Sequence, residues 1–139
     1  MGDVIRDLMT TNPITIPANA SVAEAAQRMR DADVGPVIVL DGKKVCGIVT
    51  DRDITVRTVA EGKNPKDVKV GEICSKDLTT LEPSAKVDEA VRLMREKAVR
   101  RLPVVENGRP VGIVSLGDLA VERDRNSALA DISSAPPNQ

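Results

Sequence analysis

The chain repeats itself. In one register positions 5–57 map onto 70–122 without a gap, and fourteen of the aligned positions are identical. Among them are Thr15/Thr80, Ala20/Ala85, Val22/Val87, Glu24/Glu89, Met29/Met94, Val34/Val99, Val39/Val104, Gly47-Ile48-Val49/Gly112-Ile113-Val114 and Asp53/Asp118. Apolar classes stay aligned between the identities. A unit this short buries little core alone, so the two copies are expected to pack on each other about a pseudo-twofold axis, as an internal dimer. The 139 residues, close to the usual ~150 of one domain, then divide into residues 1–62 (first unit with a lead helix), 63–69 (linker), 70–123 (second unit) and 124–139, a polar tail expected to be disordered.

Each copy reads as the same order of elements. Residues 4–9 predict a short helical entry, ended where Asn12 precedes Pro13 and is pushed towards an extended conformation. Residues 14–16 read as a brief strand. Ser21 and Glu24 form an S-x-x-E capping pattern opening a helix with Val22, Ala25, Ala26 and Met29 on one face; Val87, Ala90, Val91 and Met94 repeat that face, with Lys86 in place of the capping serine. Two hairpins follow, 36–40 with 44–49 around Asp41-Gly42, and 102–105 with 109–114 around Asn107-Gly108. A last helix runs from Asp51 towards Glu61, closed by Gly62, and from Leu116 towards Arg123. The order β-α-β-β-α, twice, predicts an α/β module.

Composition removes several functions. The chain has no Phe, Tyr, Trp or His, and a net charge of −1. No aromatic platform exists for stacking bases and no basic field for holding a phosphate backbone, so general nucleic-acid binding is not expected. Without histidine there is no Ser-His or Cys-His nucleophile pair and no His-bearing zinc site. Cys46 and Cys74 form neither a CxxC pair nor a ligand cluster and read as apolar thiols of a reducing compartment. No stretch approaches ~18 apolar residues and the N-terminus lacks a leader pattern, so a cytoplasmic protein without a membrane partner is expected.

The most specific local feature is Gly47-Ile48-Val49-Thr50-Asp51-Arg52-Asp53, echoed by Gly112-Ile113-Val114-Ser115-Leu116-Gly117-Asp118. Each is a strand ending in a hydroxyl residue, with an Asp three positions on, across the start of a helix. Two readings fit. The hydroxyl and free backbone N–H groups can donate to a phosphate while the carboxylate accepts ribose hydroxyls. Equally, Thr50-x-x-Asp53 and Ser115-x-x-Asp118 are capping boxes that satisfy the helix start without a ligand. The direction of each Asp side chain distinguishes them.

The repeat, the element order and the paired GIVTDRD and GIVSLGD segments resemble a tandem cystathionine-β-synthase (CBS) domain pair, or Bateman module, over about residues 4–123. The resemblance implies two β-α-β-β-α units packed as one disc, a cleft with two related sites for adenosine-containing ligands (AMP, ADP, ATP or S-adenosylmethionine), no catalytic cofactor, and pairing of discs into a homodimer. Carried over to this sequence, one site would take Asp118 for the ribose, Ser115 for ribose or phosphate, and Arg100 and Arg101 for phosphate. Thr10, Thr11, Ile14, Val34 and Gly35 would complete it. The related site would take Asp53, Thr50 and Arg52, with Ser75, Lys76, Thr79 and Val99. The copies differ in charge, since Gly35-Pro36 stands where the second copy has Arg100-Arg101, which favours the Asp118 site for a charged phosphate.

The leading expectation is a regulatory sensor that binds an adenosine-containing ligand and acts on a protein partner in trans. The alternative is a structural or stress-associated dimeric interaction module with no bound ligand. An enzyme is not expected, as GxGxxG and GxxxxGK[ST] are both absent.

Overall fold

The computed structural model describes residues 4–74 and 79–123. Its strands are β1 (Thr10–Thr11), β2 (Thr15–Pro17), β3 (Pro36–Asp41), β4 (Lys44–Thr50), β5 (Arg101–Glu106) and β6 (Arg109–Ser115). Its helices are α1 (Val22–Ala32), α2 (Asp51–Ile54), α3 (Val70–Ile73), α4 (Val87–Lys97) and α5 (Leu116–Arg123), with a 3₁₀ turn at Ile5–Asp7 and a π-helical segment at Thr55–Val59. The strands form two three-stranded sheets, β1-β6-β5 and β2-β3-β4. The expected α/β class and both hairpins are present; residues 124–139, expected to be disordered, lie outside the described residues.

The chain packs as two units that do not coincide with the sequence repeats. Among the described residues, 79–106 and 111–123 group with the lead up to Thr11, whereas 12–74 groups with the hairpin residues Asn107–Pro110. The lead, assigned by sequence to the first repeat, thus belongs with the second, and the opening of the second repeat, Val70 to Cys74, belongs with the first. The physical reason is a pair of matching backbone docks. Ile5 and Arg6 N–H donate to the Ala85 and Pro83 carbonyls at 2.8 and 2.9 Å, and their repeat equivalents Val70 and Gly71 donate to Ala20 and Ala18 at 2.9 Å each. Isolated bridges Val4↔Lys86 and Ser21↔Lys69 repeat the correspondence. The docked segments also supply core. Ile5 is fully buried with Leu81, Ala90, Leu102, Val104 and Val114. Val70, Ile73 and Cys74 join Ile16, Val22, Ala25, Val37 and Val49 in the other unit.

The helices obey the apolar spacing with one exception. Val22, Ala25 and Met29 of α1 and Val87, Ala90 and Met94 of α4 are buried, but Ala26, expected on the core face, is exposed. The Ser21 hydroxyl accepts the Glu24 N–H at 3.1 Å, whereas Lys86 gives α4 no side-chain cap. Asn12 is not extended before Pro13; its φ is 54°, a left-handed conformation that asparagine tolerates. The first hairpin turns on Gly42-Lys43, not Asp41-Gly42, because Asp41 pairs with Lys44 and a bulge opposite Val39/Leu40 leaves Cys46 out of register. The helix expected to reach Glu61 widens after Ile54. Ala60 and Lys63 N–H reach back five residues to Thr55 and Thr58, in a run of β-branched side chains that crowd the α-helical spacing.

The lead is clamped where β1 crosses β6. A Cβ on Gly112 would lie 2.6 Å from Met9 Sδ and 2.8 Å from the Thr10 carbonyl oxygen. Gly112→Ala should therefore push β1 off β6 and lower the unfolding free energy by roughly 1–3 kcal/mol, the usual cost of overpacking. A denaturant midpoint equal to that of the parent chain would mean that the clamp does not hold the lead.

Candidate functional site

The repeated hydroxyl-x-x-Asp segments sit where a central sequence logic puts them, at the exit of the last strand of each copy. β4 ends in Thr50 and β6 in Ser115, and a helix begins at the next residue. Each aspartate turns back to its own helix start. Asp53 Oδ2 accepts the Thr50 N–H at 2.8 Å and its hydroxyl at 3.0 Å, and the Asp53 N–H donates to Thr50 Oγ1 at 3.2 Å. In the second copy Asp118 Oδ2 accepts the Ser115 N–H at 2.9 Å, and the Asp118 N–H donates to Ser115 Oγ at 3.2 Å. Both are reciprocal capping boxes. The capping reading of these residues is therefore realised, and it uses one carboxylate oxygen of each aspartate.

The other oxygens differ. Asp118 Oδ1 has no partner among the described residues, while Asp53 Oδ1 lies 4.0 Å from the Nε of Arg57. Sequence reasoning passed over Arg57, although its i,i+4 spacing from Asp53 is a legible helical ion pair. Arg52, taken from the sequence as the helper cation, is exposed and forms no ion pair among the described residues.

The unit containing β1-β6-β5 carries Thr10, Thr11, Thr79, Val99, Arg100, Arg101, Ser115 and Asp118. Thr10 and Thr11 are exposed and pair antiparallel with Ile113 and Gly112, next to the strand end that leads into α5. The Leu116 N–H donates to the Arg100 carbonyl at 2.8 Å, which ties the arginine pair to the same strand end. Arg100 and Arg101 are both exposed, with no ion-pair partner among the described residues. Val99 and Thr79 are half-buried, Val99 against the core.

The unit containing β2-β3-β4 carries Ile14, Val34, Gly35, Thr50, Arg52 and Asp53. Ile14 and Val34 pack on its core. A Cβ at Gly35 would lie 3.4 Å from Asp51 Oδ1. This strand end therefore presents an acid where the other presents two arginines. Ser75 and Lys76 lie outside the described residues. A surface cavity of about 490 Å³ in this unit is lined by Ile14, Thr15, Arg28 and Asp31; Arg28 is held there by the Thr15 carbonyl and by Glu24 at 2.9 Å. Among the described residues no group of three or more Cys, Asp or Glu is arranged to hold a metal ion, and no helix is long and apolar enough to cross a membrane.

Two capped strand-to-helix corners on two three-stranded sheets form a repeated α/β pair, and known proteins share it. The CBS domain family model matches twice, over residues 5–58 and 70–124, and the chain belongs to that family as a CBS pair. It is 39% identical over 133 residues to the CBS domain-containing protein YhcV of Bacillus subtilis, covering 93% of this chain and 94% of that protein. Among solved structures it resembles Hypoxic Response Protein I with two coordinated zinc ions, at 31% identity and a TM-score of 0.74, over 84% of this chain and 96% of that one. It also resembles the CBS domain pair of protein MJ0100 in complex with 5'-methylthioadenosine and S-adenosyl-L-methionine, at 26% identity and a TM-score of 0.78, over 89% and 98% of the two chains.

Because Ser115 caps α5, Ser115→Ala should cost about 1 kcal/mol of stability, the usual value of a lost N-cap. Ser115→Asn, which keeps an acceptor, should recover most of it in the same thermal unfolding assay. Equal stabilities for all three chains would mean that the Ser115–Asp118 box carries no load.

Proposed function

We propose that this CBS pair is a regulatory module that binds an adenosine-containing ligand and is read by a protein partner in trans. The observation that carries the reading is Asp118 Oδ1, which has no partner among the described residues, on a carboxylate already oriented through Oδ2. A carboxylate fixed in this way accepts ribose hydroxyls without first losing rotamer freedom. Thr10, Thr11 and Ser115 add hydroxyl groups at the same strand end. Arg100 and Arg101, exposed and without ion-pair partners among the described residues, supply charge-assisted donors for phosphate. With no aromatic ring in the chain, adenine is held by aliphatic side chains and by backbone groups.

The complex of MJ0100 with two adenosine derivatives supports the ligand class. The arginine pair favours a ligand with phosphate, of the AMP, ADP or ATP kind, over S-adenosylmethionine. Binding shifts the protein between arrangements only through a difference in affinity for them, and that difference is what a partner reads. Exposed Val56 and Val59, at 46% and 61%, offer apolar surface for pairing with a second copy of the chain. The acid-base equipment of an enzyme is not part of this reading.

Asp118→Asn tests it with the cap preserved, because the amide oxygen can still accept the Ser115 N–H. The parent chain should be stabilised by about 2.7 kcal/mol at a ligand concentration a hundredfold above Kd. The variant should unfold at the parent's ligand-free temperature and gain little from AMP, ATP or S-adenosylmethionine. Equal ligand-dependent stabilisation of both chains would remove Asp118 from the site.

A further inference from the structure

We propose that Arg57 is a built-in competitor for the Asp53 carboxylate, so that the two copies are unequal and one adenosine ligand binds per chain, at Asp118. The inference rests on the reading of these aspartates as ribose acceptors. Both oxygens of Asp53 are engaged within the chain. Oδ2 accepts the Thr50 N–H and hydroxyl at 2.8 and 3.0 Å, and Oδ1 faces Arg57 Nε at 4.0 Å.

A pair of that length with its arginine exposed is weak by itself. Arg57, however, is anchored at its other end. Its Nη1 donates to the Ile73 carbonyl at 2.9 Å, at the C-terminal end of α3, where carbonyl oxygens lack helical partners and carry partial negative charge. One guanidinium therefore straps Asp53 to α3, and its position is set by two contacts. A ribose diol approaching Asp53 Oδ1 must displace the guanidinium, and doing so removes a favourable charge from the carboxylate.

The repeat supplies an internal control. Asp118 is capped in the same way, at 2.9 Å from the Ser115 N–H, and its Oδ1 has no partner among the described residues. The position equivalent to Arg57 is Glu122, an acid. No cation of that kind is encoded in the second copy. The charge asymmetry already seen, with Asp51 beside Gly35 in one copy and Arg100-Arg101 in the other, acts in the same direction for a phosphorylated ligand.

Equilibrium dialysis with AMP, ATP and S-adenosylmethionine, each in turn, tests the proposal on the full chain. The parent should bind one equivalent of whichever ligand binds, with affinity lost on the order of tenfold or more in Asp118→Asn and unchanged in Asp53→Asn. Arg57→Gln should bind two equivalents, the second disappearing when Asp53→Asn is added. A parent chain that binds two equivalents, binding that depends on Asp53, or an Arg57→Gln chain that still binds one overturns the role of Arg57 and leaves the adenosine reading standing. No binding of any of the three ligands to any variant overturns both. Should Arg57→Gln fail to fold, the parent, Asp118→Asn and Asp53→Asn results decide by themselves.

Discussion

Everything else in this structure depends on a reciprocal docking of short segments onto the repeat that each does not precede. Ile5 and Val70 occupy equivalent positions in the sequence, and each donates its N–H to an alanine carbonyl, Ala85 and Ala20, at 2.8 and 2.9 Å. Each also fills a core built mainly from the other repeat, Ile5 with Leu81, Val104 and Val114 and Val70 with Ile16, Val22 and Val49. A repeat cut out at its sequence boundaries would lose a buried branched side chain and the hydrogen bonds beside it. Burial of one such side chain stabilises by roughly 1.5–3 kcal/mol, a large part of the margin of so small a unit. The two repeats are thus obligate companions, and a ligand or partner that disturbs either dock is felt by the packing of a core.

The same economy governs the candidate site. A capping box needs one oxygen of its carboxylate, and the geometry spends Oδ2 of both Asp53 and Asp118 in this way. The fold thereby orients two carboxylates at the exits of β4 and β6 as a by-product of starting two helices. Structural and ligand-directed roles are compatible, because they use different atoms of one side chain. What separates the copies is the environment of the outer oxygen: Arg57 at Asp53, and no partner among the described residues at Asp118.

Much of this was legible before the structure. Gap-free repetition, helical spacing of Val22, Ala25 and Met29, and glycine-bearing turns specify the elements and the family. The docks were not legible, because Ile5 and Val70 read as ordinary apolar residues of their own repeat; only long-range backbone hydrogen bonding assigns them elsewhere. The hairpin centre moved by one residue because the bulge at Cys46 leaves no trace in periodicity. The π-helical widening after Ile54 was hidden for a related reason, since β-branched residues are common in ordinary helices as well. At the candidate site the sequence leaves the direction of each aspartate open, and it offers Arg52 within TDRD as the cation that Gly35-Pro36 lacks, while Arg57, four positions after Asp53, goes unread. Helical geometry brings residues four apart into contact and points adjacent ones away from each other.

The central claim is that this CBS pair holds an adenosine-containing ligand, and the chain's own composition provides the most direct measurement. With no Phe, Tyr or Trp, the protein is nearly transparent near 260–280 nm, where only those side chains absorb strongly. Protein freed of nucleic acid, mixed with AMP, ATP or S-adenosylmethionine and passed through a short desalting column, should retain an adenine absorbance band that co-elutes with the chain. A flat spectrum in the protein fraction for all three, together with no signal in dialysis at ligand concentrations well above a micromolar Kd, would contradict it.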